Sequence, residues 1–331
     1  MTGLLLWGCS DDNHPTMDHG VGPADQAIHD GVGPSGDAVT PDLSAPGDGP
    51  VDGPGPGPDG PSVSSCTGPG LSPGEHVITL QFGGLQRSYR LYVPKGYNNA
   101  THTPLVLNFH GVNSNAWQQV LFSGMNAASD KHGFVLAYPV GVQSSWNAGL
   151  CCGGAATLGL DDVGFARAVV ADIQKKLCID GKRIYAAGMS NGAMLSHRLA
   201  CEASDLFAAI GPVAGGLVLA KPCAPARAVP VIHFHGSKDT IVQYNSGVTT
   251  VAGWVKRNGC TDAQPTQVYN KGVASCDAWT QCKDGAEVVF CTITGGGHCW
   301  FGQPICPLGA STTDISANEM MWSLFKKHPL P

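Results

Sequence analysis

Between Ser10 and Ser72 the chain carries almost no aromatic or large aliphatic residue, and this decides which part of it can fold. Gly, Pro, Asp and Ser dominate, as in D-G-P-V-D-G-P-G-P-G-P-D-G-P from Asp48 to Pro61. Such a segment cannot bury enough apolar surface to offset the entropy lost on ordering. Prolines favour extended backbone and the aspartates repel one another, so residues 10–74 are expected to form a disordered, semi-extended acidic tether. A core must come from residues 75–331, and a sequence that is 43% apolar allows one.

Charge divides at the same place. Eleven of the 25 acidic residues lie between Asp11 and Glu75, and the first basic residue is Arg87. From His76 onward the other 14 acids face all 19 Lys and Arg, a formal charge of +5. These basic residues form no run, so the charge is read as a solubility feature and no nucleic-acid partner is expected.

The 13 cysteines include no C-x-x-C pair and no zinc-like spacing, which suits disulfides in an oxidising compartment. The protein is therefore expected to be secreted or held at the cell surface. Residues 1–9 end in Leu4-Leu5-Leu6-Trp7-Gly8-Cys9, which resembles a short, imperfect bacterial lipobox whose cysteine is lipidated. An unmodified, disordered N-terminus is the alternative. No later run approaches the roughly 20 apolar residues of a membrane span, so membrane attachment is expected only through Cys9. Several of the other twelve cysteines should form disulfides. Cys151 and Cys152 are each expected to pair elsewhere or stay a buried thiol, because bonding neighbours closes a strained small ring.

Past Glu75 strands and helices alternate. Residues 76–82 and 87–93 read as paired antiparallel strands, and Pro104–Phe109 is a continuous apolar run suited to a strand buried on both faces. Further buried strands are expected at 134–138, 183–187, 229–234 and 287–293, and helices at 116–131, 161–177 and 191–200. This order implies one α/β domain with a mostly parallel central sheet and helices on both faces.

Gly188-Met189-Ser190-Asn191-Gly192 fits G-x-S-x-G between a buried strand and an amphipathic segment, the setting in which a serine is lifted above a sheet of the α/β-hydrolase fold. A serine hydroxyl needs a base, and the base needs a carboxylate to fix its tautomer. The chain order Ser, acid, His points to Asp239 and His298. His298 follows Gly295-Gly296-Gly297 after a strand, whereas His328 sits in the terminal K-K-H-P-L-P; Asp262, Asp277 and Asp284 are the weaker acids. His110-Gly111-Val112 follows the 104–109 strand, so Val112 N–H and Asn191 N–H are the expected oxyanion donors. His110 either braces that loop or is a second catalytic group. His233 and His235 share one face of a strand, as a metal pair would, but lack acidic or cysteine partners at ligand spacing; no metal and no cofactor are expected. Trp300, Trp146 and His110 are the candidates for contacting substrate, with core packing beneath the loops the alternative for both tryptophans.

These pieces also resemble a family, the LpqC-like esterases of the polyhydroxybutyrate depolymerase and feruloyl esterase group. The similarity lies in H-G-V at His110, G-F-V-L-A-Y-P at Gly133, S-W-N-A-G-L-C-C-G at Ser145, D-D-V-G-F at Asp161 and R-I-Y-A-A-G-M-S-N-G-A-M at Arg183. It continues through F-A-A-I-G-P-V-A-G at Phe207, H-F-H-G-S-K-D at His233 and G-G-G-H-C-W at Gly295, and it leaves out the tether. The family's triad maps onto Ser190, Asp239 and His298. Phe301 stands where members usually have a proline after G-H-x-W. The resemblance implies a serine esterase acting on esters of extracellular polymers, and a monomer without a cofactor is expected. A feruloyl or acetyl xylan esterase acting on plant cell walls is the alternative, and a non-catalytic surface-binding lipoprotein is a third reading.

Overall fold

The computed structural model describes Cys66, residues 68–306 and residues 308–331. Cys9, with the lipobox expectation it carries, and the tether up to residue 65 lie outside the described residues. The folded unit begins earlier than expected: Cys66 is disulfide-bonded to Cys178, and Gly70 N–H donates to the Lys176 carbonyl at 3.0 Å. Among the described residues, Cys66 and residues 68–74 therefore belong with the folded domain expected to begin at residue 75. These residues look like linker by composition, yet a covalent bond and backbone pairing hold them.

In chain order the elements are β1 (Gly74–Phe82), β2 (Leu85–Val93), β3 (Thr103–Phe109), α1 (Ala116–Ser123), α2 (Met125–His132), β4 (Val135–Pro139), α3 (Gly153–Thr157), α4 (Asp162–Gln174) and β5 (Ile179–Met189). They continue with α5 (Asn191–Glu202), β6 (Ala209–Val213), β7 (Val231–Gly236), α6 (Tyr244–Arg257), β8 (Thr266–Lys271), β9 (Ala274–Trp279), β10 (Val288–Ile293) and α7 (Ala317–Phe325). One ten-stranded sheet runs β1-β2-β4-β3-β5-β6-β7-β10-β9-β8. Its centre from β4 to β10 is parallel and both ends are antiparallel. Strands β3, β4 and β7 are buried throughout because helices cover both faces, α4, α5 and α6 on one and α1, α2 and α7 on the other. The Gly83-Gly84 turn, with φ of 58° and 75°, closes the β1–β2 hairpin at the half-exposed edge.

Two expectations about elements change. The single helix over 116–131 is two, because Gly124 adopts φ 53° and caps α1 through its N–H to the Val120 carbonyl. The twelve cysteines after Cys9 form six disulfides, and Cys151 is bonded to Cys152, contrary to expectation. The other ten pair among themselves, so each of these two has only its neighbour. A tight loop holds them together, with Ala148 N–H on the Cys151 carbonyl and Cys152 N–H on the Trp146 carbonyl.

Candidate active site

Ser190 sits between β5 and α5 with φ 57° and ψ −123°, a conformation an L-residue adopts only under local constraint. Its N–H donates to the Val213 carbonyl at 2.9 Å and its carbonyl accepts from Met194 N–H at 3.0 Å, which lock the turn from both sides. The flanking glycines serve close approach. A Cβ on Gly188 would lie 2.5 Å from the Gly192 carbonyl carbon, and one on Gly192 would collide with the Phe109 carbonyl. The Gly111 backbone passes beside Ser190 less tightly: a Cβ there would stand 3.3 Å from Ser190 Cβ and 3.8 Å from its Oγ.

Asp239 and His298 leave the carboxyl ends of β7 and β10, adjacent strands beside β5 and β6. Asp239 Oδ1 accepts from Ile241 N–H and Val242 N–H, both at 2.9 Å, and Oδ2 lies 2.7 Å from His298 Nδ1. A carboxylate only accepts, so Nδ1 carries the proton and His298 Nε2 is left with a lone pair, the tautomer a base requires. His298 N–H donates to the Leu308 carbonyl, and the Cys299–Cys306 disulfide closes the same loop. Three of the four alternative candidates are engaged elsewhere. His328 pairs with Glu287 at 2.7 Å, Asp262 accepts from Thr280 and Gln281 N–H, and Asp284 accepts from Ala228 N–H.

On the other side of Ser190, His110 Nε2 accepts from Gly141 N–H at 3.0 Å, so its proton lies on Nδ1, which donates to the Gly111 carbonyl at 2.7 Å. Burial pushes its pKa down to about 4, opposed by the Gly111 carbonyl. With both nitrogens engaged, His110 braces the loop and does not contact substrate. Among the described residues no carbonyl outside helices and strands accepts from Val112 N–H, and Asn191 N–H opens α5 without an intrahelical partner.

The two tryptophans are also corrected. Trp146 is fully buried: its Nε1 donates to the His110 carbonyl at 2.9 Å, and the Asn191 amide clamps its backbone through bonds of 2.7 and 3.0 Å. Trp300 is fully buried too, donating to Asn318 Oδ1 at 2.9 Å while Asn318 donates to the Ser123 carbonyl. Neither ring faces solvent, so neither is a cleft wall; a buried indole needs its N–H satisfied, and both loops fold to do so. His233 and His235 are buried with His197. Among the described residues the one grouping with metal-like spacing is Cys66, His102 and Cys178, whose two sulfurs are already joined in a disulfide.

The family described as esterase PHB depolymerase matches residues 87–249. A protein named as an esterase, NocK of Nocardia uniformis subsp. tsuyamanensis, is 30% identical over 265 residues, covering 70% of this chain and 76% of that one. The chain belongs to the PHB depolymerase esterase family. Feruloyl esterase B of Piromyces equi is 35% identical over 228 residues, 62% of this chain, and the chain spans only 41% of that protein's length. Among solved structures, an acetyl xylan esterase from Aspergillus awamori matches with a TM-score of 0.57 at 18% identity, covering 76% of this chain and 99% of that one, a likeness of fold alone.

Some supporting residues were invisible to spacing arguments. Asp162, fully buried, accepts from Arg87 at 2.9 Å and from Asn147 N–H at 2.8 Å, while Arg198 donates to the Asn147 carbonyl. Burial raises the Asp162 pKa, against the Asn147 N–H and Arg87. This buried pair pins the segment that carries Trp146. The D-D-V-G-F match was its only trace in the sequence.

Proposed function

We propose that the protein is a secreted serine carboxylic ester hydrolase in which Ser190 is the nucleophile, His298 the base and Asp239 the acid. The observation that carries this reading is the 2.7 Å contact of His298 Nδ1 with Asp239 Oδ2, on the sheet end where Ser190 holds its constrained turn. Ser190 Oγ attacks the ester carbonyl carbon as its proton passes to His298 Nε2. The oxyanion is received by Val112 and Asn191 N–H. The imidazolium returns the proton to the departing alkoxide, leaving an acyl-serine. A water deprotonated by His298 then releases the acid and restores Ser190.

The substrates are ester groups on extracellular polymers. The similarity to a protein named feruloyl esterase B supports ester-linked acyl groups of plant polysaccharide, whereas the family's own description supports a polyester. Apolar side chains exposed on α1 and in the segments after β4, β7 and β10, among them Trp117, Leu150, Leu158, Ile241 and Ile305, suit either. Six disulfides support export, and among the described residues no helix is long and apolar enough to cross a membrane. Attachment through a lipidated Cys9 is tested by membrane fractionation of Cys9→Ser.

The deciding experiment is p-nitrophenyl acetate and butyrate hydrolysis by the purified protein, with Ser190→Ala as control. Turnover lost in the variant supports the reading, and absence of turnover in the wild type favours a surface-binding protein. Methyl ferulate, a hydroxybutyrate oligomer and acetylated xylan then separate the substrates.

A further inference from the structure

We propose that His235 is a positioning residue for Asp239, its ring proton fixed on the nitrogen nearest the acid by a buried relay that runs from Trp254 through His197 and His233. This rests on the ester-hydrolase reading in one respect, the role of Asp239 as the acid.

Three elements bring the relay together: α6 supplies Trp254, α5 supplies His197, and β7 places His233 and His235 on one face, two residues apart. All four side chains are fully buried. Trp254 Nε1 lies 3.0 Å from His197 Nδ1, His197 Nε2 lies 3.3 Å from His233 Nδ1, and His233 Nε2 lies 3.1 Å from His235 Nδ1. His235 Nε2 then lies 2.8 Å from the Val242 carbonyl and 3.5 Å from Asp239 Oδ2. An indole nitrogen can only donate, so His197 Nδ1 is an acceptor and its proton sits on Nε2. Each following ring takes the same tautomer in turn. The far end demands it independently, because a carbonyl can only accept. The relay thus places an N–H, donated to the Val242 carbonyl, beside the oxygen of Asp239 that holds His298.

The rings stay neutral. Burial pushes the His197 pKa down to about 3, with the Gly215 carbonyl opposing and Arg257 adding to the shift. Burial, then His235 and His197, hold His233 well below its ordinary value. His235 is lowered by burial, opposed by the Val242 carbonyl and Asp239, with His298 adding. Tyr244 of α6 packs edge-on to His235, its hydroxyl engaged with Thr292. Room for the contact comes from Gly247: a Cβ there would stand 2.6 Å from His235 Nδ1 and 3.0 Å from His233 Nε2.

With this N–H donated to the Val242 carbonyl, the ring's positive edge lies 3.5 Å from Oδ2 and offsets part of the negative charge of Asp239, while the bond to Val242 steadies the turn that presents it. Removing this N–H leaves a more basic carboxylate, which raises the proton affinity of His298. The acid limb of kcat/KM then moves to higher pH.

The first test needs no activity, so its failure is distinct from failure of the ester reading, which Ser190→Ala decides. In the 15N-histidine-labelled protein at pH 7, long-range proton–nitrogen correlations should show His197, His233 and His235 protonated on Nε2 alone and His110 on Nδ1 alone. A proton on Nδ1 of any of the three overturns the relay. In kinetics, His235→Leu should move the acid limb up by about half a pH unit and lower kcat severalfold with KM little changed. His235→Gln, whose amide restores a donor, should bring the limb back. A limb unmoved in folded His235→Leu makes His235 mere packing. If that variant does not fold, His235→Phe takes its place, keeping an aromatic ring without an N–H; the same upward move of the limb is expected, and an unmoved limb again overturns the positioning role.

Discussion

On the β3–β4 side of Ser190, His110, Trp146 and the Asn191 amide engage their polar side-chain atoms with backbone. On the β7–β10 side, Asp239 and His298 face each other and, behind them, His235, His233 and His197 pass polarity from ring to ring. Both sides bury neutral histidine, but one uses it as a strut and the other as an oriented chain. The difference follows from what each side must present. A fixed dipole needs rigidity alone, whereas a base needs a defined proton position as well.

The largest effect expected is on the acid–base side. Ser190→Ala and His298→Ala should each lower kcat by about four orders of magnitude or more, and Asp239→Asn somewhat less, since the acid orients the imidazole without moving a proton itself. Full activity in Asp239→Asn with loss in Asp262→Asn would place the acid elsewhere and break the comparison at its root.

The strut side should respond more weakly and without discrimination. Asn191→Ala keeps the main-chain N–H but removes both bonds to the Trp146 backbone, so kcat should fall by about 10- to 100-fold and stability by about 1–3 kcal/mol. The loss should be equal on an acetate and on a ferulate ester. On the β7–β10 side, Trp300→Ala should also cost both esters alike while lowering Tm, because its ring is enclosed and its N–H holds Asn318. A loss confined to the ferulate ester would return Trp300 to the cleft wall.

The strut and the chain were not equally legible in the sequence. Continuous apolar runs disclosed the central strands, and G-M-S-N-G between a strand and a helix located Ser190. Strand β6 was hidden because Gly211 and Pro212 break its pattern, and Pro212 leaves its pairing to β7 sparse. The mostly exposed β8 has no buried face to show, and α6 carries Gly247, Gly253 and several β-branched residues that weaken a helical signal. The alternation of His233 and His235 was visible, but their partners His197 and Trp254 come from other elements, and only the fold joins them. Burial of both tryptophans was equally a matter of tertiary packing, since a loop position does not say which way a ring turns.

The smallest difference expected between a variant and the wild type is one ring's share of acid stability. His110 and His197 hold folded pKa values of about 4 and about 3, and His233 and His235 are also lowered, all chiefly by burial, against about 6.5 in an unfolded chain. The unfolded chain therefore binds more protons, so the stability from keeping these rings neutral is fully present above about pH 6.5 and is lost as pH falls toward the folded values. Each ring contributes a slope of up to about 1.4 kcal/mol per pH unit in that interval. The carboxylates with lowered pKa, such as Glu287, act in the same direction but only near and below about pH 4.5, so the window from 6.5 to 4.5 belongs to histidine. Urea midpoints with disulfides intact should fall steeply across this window. His110→Gln should remove one ring's share of the slope and leave the rest, since three of the four rings belong to the chain. A wild-type midpoint flat from pH 7 to 5 would mean that these rings protonate without opposing the fold, and the contrast between strut and chain would lose its electrostatic basis.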